Sequence, residues 1–97
     1  MTVFAVEYVY DADSGRARDD HRPAHRAWLT ALAGEGALLT SGPYSDGAGA
    51  LLIFKASDDA ALSDLLQQDP FASAQVISAI RITEWNPVIG LLAEHAA

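Results

Sequence analysis

Apolar side chains open the chain on both parities of a strand. Over Thr2–Tyr10, Phe4, Val6, Tyr8 and Tyr10 share one face, and Val3, Ala5, Glu7 and Val9 share the other. Both faces are mostly apolar, which predicts a central strand covered on both sides. The polar run Asp11 to Asp20 predicts a loop of about ten residues, long for a connection and able either to wall a pocket or simply to move at the surface. From Pro23 a helical period takes over. His25, Trp28, Leu29 and Leu32 follow the i, i+3, i+4, i+7 spacing, so they share one face of a helix reaching about Ala33. Proline suits the first helical position, where its missing N–H would be unpaired anyway. Gly34 and Gly36 stop the helix.

Beyond the glycines the period returns to two. Ala37–Ser41 predicts a short strand ended by Gly42-Pro43, Tyr44–Gly49 a turn, and Ala50–Lys55 a further strand. The link suits an antiparallel hairpin and is too short for a parallel crossover. Ser57 or Asp58 caps a second helix to about Gln68, with Ala61, Leu62, Leu65 and Leu66 on its apolar side. Asp69-Pro70 breaks it, Phe71–Gln75 predicts a further helical turn, and Val76–Trp85 a fourth strand ended by Asn86-Pro87. The order is β-α-β-β-α-β. It predicts an α+β, ferredoxin-like domain over residues 1–97, with a C-terminal tail at 86–97. Two helices cover one face of a four-stranded antiparallel sheet, because the crossovers are right-handed. The other face carries side chains such as Val3, Ala5 and Val9, or the alternate set. An apolar sheet face is rarely left to water, so a homodimer packed sheet against sheet is expected.

Charge narrows the partners. The formal net charge is -7, which argues against nucleic acid and anionic membrane surfaces. Four of the six basic residues lie within Arg16–Arg26, interrupted by Asp19 and Asp20, and read as a solvated segment. Half the residues are hydrophobic (51%), as a chain that folds on one core requires. The absence of cysteine excludes disulfides, thiolate nucleophiles and cysteine metal sites, and is compatible with a reducing compartment. With no signal-like start and no run of about 18 apolar residues, a cytoplasmic protein is expected.

His25 is the sharpest chemical candidate, because an imidazole in an apolar stripe needs a partner or a task. A core histidine satisfied by one hydrogen bond is the plain alternative. Asp69 ends the second helix on the same side of the sheet. A carboxylate within reach would fix the ring's tautomer and suit it to general acid or base work near neutral pH. His21 and His25 have the i, i+4 spacing of metal ligands, but Pro23 places His21 ahead of the helix and no acidic or cysteine ligand matches, so no metal is expected. Ser41 lacks a G-x-S-x-G elbow, which rejects a hydrolase triad. Gly42 allows a ligand close to the backbone beside Ser41 and Pro43. Gly47-Ala48-Gly49 is a turn and no dinucleotide site. Trp28 reads as core and His95 as solvated. Trp85 and Phe71 suit either a pocket or an interface.

Taken in order, Arg22-Pro23-Ala24-His25, Glu35-Gly36, Leu38-Leu39-Thr40, Gly42-Pro43, Asp69-Pro70-Phe71 and Glu84-Trp85-Asn86-Pro87-Val88-Ile89-Gly90 resemble the YCII-related (YciI-like) family over nearly the whole chain. The resemblance implies a ferredoxin-like fold of the dimeric α/β-barrel group, similar to muconolactone isomerases and cofactor-free monooxygenases. It implies a histidine–aspartate active site falling on His25 and Asp69; Arg22, Ser41, Gly42, Pro43, Pro70 and Phe71 are the expected substrate-binding residues beside it. The short link Tyr44–Gly49 departs from members with a longer one. The expected function is general acid–base chemistry, isomerisation or elimination, on a small cyclic or phenolic metabolite without a cofactor. A non-catalytic binding or dimerisation module is the alternative, and a cofactor-free oxygenase rests on fold similarity alone.

Overall fold

A computed structural model describes residues 1–97. The elements are β1 (Thr2–Tyr10), α1 (Gly15–Glu35), β2 (Leu38–Pro43), β3 (Gly49–Ala56), α2 (Asp59–Leu66), α3 (Pro70–Ser73) and β4 (Ile77–Glu84), followed by a single 3-10 turn at Ala93–His95. The strands form one antiparallel sheet in the order β2-β3-β1-β4. This is the expected ferredoxin-like β-α-β-β-α-β order, with the central strand at the amino terminus. The barrel is not there. The sheet ends at two free edges, β2 and β4, and is not closed. The dimeric α/β-barrel assignment implied by the resemblance is therefore corrected to an open four-stranded sheet.

The register explains the two faces. Phe4 faces Phe54, Val6 faces Leu52, and Tyr8 faces Ala50 across the β1–β3 ladder. With Leu32, Leu38, Leu62 and Leu66 these side chains make the core between sheet and helices. The opposite face is mixed. Val3 and Ile53 are buried there, whereas Glu7, Val9 and Leu51 are exposed, so β1 is covered fully on only one side. Gly49 packs on β1 so closely that a Cβ would collide with the Tyr8 carbonyl.

Helix α1 begins at Gly15, eight residues ahead of the expected start, and Pro23 lies inside it. The loop expected over Asp11–Asp20 shrinks to Asp11–Ser14. Interior proline ordinarily costs roughly 3 kcal/mol by removing a hydrogen bond and crowding the carbonyl four residues back. Here Pro23 and Asp19 are both exposed, so water reaches the unpaired carbonyl. Gly36, at φ 82°, closes the helix in the left-handed conformation as expected. Strand β2 runs through Gly42 to Pro43 instead of ending before them. Asp58 caps α2, its side chain accepting from the Ala61 N–H. Of the tail apolar residues, Ile89 and Leu91 are more than nine-tenths exposed.

Candidate active site

Asp69 lies between α2 and α3, and its local role explains its position. It is the N-cap of α3, with Pro70 in the first turn, the pairing that helix termini favour. Its Oδ1 accepts from the Phe71 N–H at 2.9 Å. Asp69 is thus the start of a short helix and not merely the stop of the one before. It is fully buried, and a buried carboxylate is costly unless its lone pairs are met. Two long-range donors complete the set. The Tyr8 hydroxyl, from the central strand, donates to Oδ2 at 2.8 Å. His25, from the middle of α1, lies 2.7 Å from Oδ1 through Nδ1.

Those contacts assign the imidazole. A carboxylate receiving a hydroxyl and a backbone N–H acts as acceptor, so His25 Nδ1 carries a proton and donates it. Nε2 is left without a partner in the chain. Every buried side-chain nitrogen and oxygen has a partner, and Nε2 has none within the chain, so Nε2 is not sealed in. The ring is held in a second direction by Phe71, stacked parallel to it with centroids 3.8 Å apart and planes 4° apart. Phe71 in turn meets the Tyr10 ring edge-on at 5.8 Å. Burial and the adjoining Asp69 carboxylate push the Tyr8 hydroxyl far above its ordinary range, so it stays a donor at any working pH. Burial also pushes the Tyr10 hydroxyl up, opposed by the nearby Arg18 guanidinium.

His25 opens on a cavity of about 600 Å³, a volume suited to a small molecule. One wall is α1, contributing Arg18, Arg22, Arg26 and Leu29. The other is β2 and its turn, with Ser41, Gly42, Pro43 and Tyr44. Ala50 and Leu52 of β3 form the floor, and Tyr10 and Phe71 close one end. The structure places His25, Arg22, Ser41, Gly42, Pro43 and Phe71 around this one cavity. Asp69 lies behind the cavity, holding His25 without lining it. Pro70 does not line it either. Trp28 is half-buried and packs against Phe54, and Trp85 lies away from the cavity beside the amino terminus. His21 is exposed, and no group of three or more histidine, aspartate or glutamate side chains is placed to hold a metal.

Tyr8 is not singled out by the sequence, and Arg18 and Arg26 belong to the basic stretch read there as solvated; the structure corrects that reading, since both line the cavity. Tyr8 had a signal, since a phenol on the core face of a central strand needs a hydrogen-bond partner. The arginines had one too. Residues 18, 22 and 26 repeat every four, a single helical row, legible only once the helix is known to begin before them.

The YCII-related domain family matches residues 2–86. Among solved structures the chain is similar to 5-chloro-2-hydroxyhydroquinone dehydrochlorinase from Burkholderia phenoliruptrix in complex with 2,5-dihydroxybenzoquinone. The identity is 24% over 87% of this chain and 93% of that one, with a TM-score of 0.77. It is also similar to Rv0793 from Mycobacterium tuberculosis, at 13% identity over 92% and 96% and a TM-score of 0.55. A third likeness is PA3566 from Pseudomonas aeruginosa, at 16% identity over 88% and 93% and a TM-score of 0.54. At these identities the likenesses speak for the fold. None of the curated proteins matches the chain.

Proposed function

The chain belongs to the YCII-related domain family, and on that premise we propose that it is an enzyme in which His25 moves a proton on a small cyclic or phenolic metabolite. The observation that supports this reading is the arrangement of one residue. His25 is 7% exposed, its Nδ1 is tied to the buried Asp69, and its Nε2 opens on the cavity. Nε2 removes a proton from a ring carbon or hydroxyl, or returns one to a leaving group. Asp69 keeps the tautomer fixed and balances the charge as the ring becomes imidazolium. Isomerisation and elimination both reduce to such proton movements and ask for no cofactor. The printed reaction of the Burkholderia protein, loss of chloride from a hydroxyhydroquinone, is an elimination of this kind and supports the ring class.

The test is turnover of chlorinated hydroxyhydroquinones, followed by chloride release and quinone absorbance, with the unchlorinated compounds, which have no leaving group, as the inert control. His25→Ala should retain the fold and lose about 10²–10⁴-fold in rate. A variant that turns over as fast as the parent sinks the reading, and one that unfolds makes His25 structural.

The reading includes a homodimer joined through the sheet face that carries no helix. Exposed Val9 and Leu51 lie on that face beside Ile53, an apolar strip that a second copy would cover.

A further inference from the structure

We infer that the His25 cavity is built for an anion, an oxyanion borne by a planar ring, gripped by the arginine row of α1. The inference rests on the reading of this cavity as a substrate site and names the charge of what enters it.

The chain is acidic, with 13 Asp and Glu against 6 Lys and Arg. Its cavity is the reverse. Arg18, Arg22 and Arg26 line it, half of all the cationic side chains of the protein, and no aspartate or glutamate lines it. Spaced four apart on one helix, they form a row about 12 Å long at 1.5 Å per residue. His25 lies within that row, one turn from Arg22 and adjacent to Arg26. The three are not equally free. Arg18 is committed: its guanidinium lies over the Tyr10 ring at 4.5 Å, and its Nε donates to Ser14 Oγ at 3.0 Å. Arg22 meets only Asp19, an exposed partner on its own helix. Arg26 makes no hydrogen bond or ion pair. Two cationic forks are therefore available beside the working nitrogen, and a guanidinium is the side chain best matched to a pair of oxyanion lone pairs.

The remaining lining says what carries the charge. Pro43, Ala50 and Leu52 make an apolar surface across the cavity from the cations, and Leu29 adds to it from their own helix. A flat ring suits that surface, with its oxygen directed at Arg22 and Arg26. An oxyanion held there lies within reach of His25 Nε2. A substrate that gains negative charge as His25 takes its proton is held more tightly as the charge grows, which is how binding becomes rate.

The experiment uses 4-nitrophenol, which colours on ionising, with 4-nitroanisole as its neutral isostere and 4-nitrobenzoate to separate a ring oxyanion from a carboxylate. The intact protein should bind nitrophenolate at least about tenfold more tightly than nitroanisole, as charge-assisted contacts allow, and should hold the bound phenol ionised to a lower pH. Arg22→Gln with Arg26→Gln should erase that preference at unchanged thermal midpoint, because the Arg22–Asp19 pair is exposed and contributes little to stability. Tighter binding of nitrobenzoate than of nitrophenolate assigns the carboxylate, and the converse the ring oxyanion. His25→Ala should keep the anion preference while losing turnover, so a failed catalytic reading leaves this one standing and separately measured. Equal binding of neutral and anionic probes, no binding of either, or a preference that survives the double substitution overturns the inference.

Discussion

Asp69 accepts three hydrogen bonds where no water reaches it, and each donor comes from a different element. Removing a donor leaves a charged lone pair unmet. Tyr8→Phe should therefore cost about 1.5–3 kcal/mol, read from urea denaturation, although it deletes only one oxygen from the core. Asp69→Asn should cost about 1–3 kcal/mol, because the amide oxygen still accepts from His25 and Phe71 while its NH2 faces the Tyr8 hydroxyl in place of an acceptor. Alkali gives a second test. The folded state holds the Tyr8 hydroxyl protonated above the pH, near 10, at which an unfolded tyrosine ionises. The unfolded chain loses that proton first, so Tyr8 stabilises the fold below about pH 10 and the contribution falls by up to about 1.4 kcal/mol per unit above it. Tyr8→Phe should flatten that decline in a pH series of denaturation midpoints, and an unchanged slope would refute the assignment.

Helix α1 shows what a pattern of hydrophobicity can and cannot convey. Its second half buries His25 and Leu32 against the sheet, and the apolar period there was legible. Its first two turns carry Arg18 and Arg22 to a cavity, which needs polar side chains, so the period falls silent while the helix continues. Pro23 then looked like a beginning. The same logic places the strand boundaries, which shifted only by one or two residues, and the His25–Asp69 meeting, which no spacing could show because 44 residues separate the pair. Pro23→Ala should add about 1–3 kcal/mol by restoring a helical N–H, measured as a raised thermal midpoint. In the sheet two glycines contrast. Gly49→Ala drives a Cβ into the Tyr8 carbonyl and should break the β1–β3 ladder, abolishing cooperative unfolding. Gly42→Ala meets nothing within 4 Å and should stay within about 0.5 kcal/mol of the parent.

At the scale of the molecule, one face of the sheet supports helices and cavity, and the other bears an apolar strip between charged neighbours. If a second copy covers that strip, light scattering should give about twice the 10.3 kDa mass of the chain, and Leu51→Asp with Val9→Asp should halve it without altering the circular dichroism. A monomer at every concentration would remove the dimer from the proposal. Asp69 has a consequence at this scale as well. It caps a helix, anchors the central strand and aims the imidazole, so no single substitution there can alter the chemistry and spare the architecture. The arginines and the β2–β3 turn carry no such triple duty. Descendants of this sequence are free to exchange one ligand for another at the cavity rim, while the aspartate behind it is inherited with the architecture.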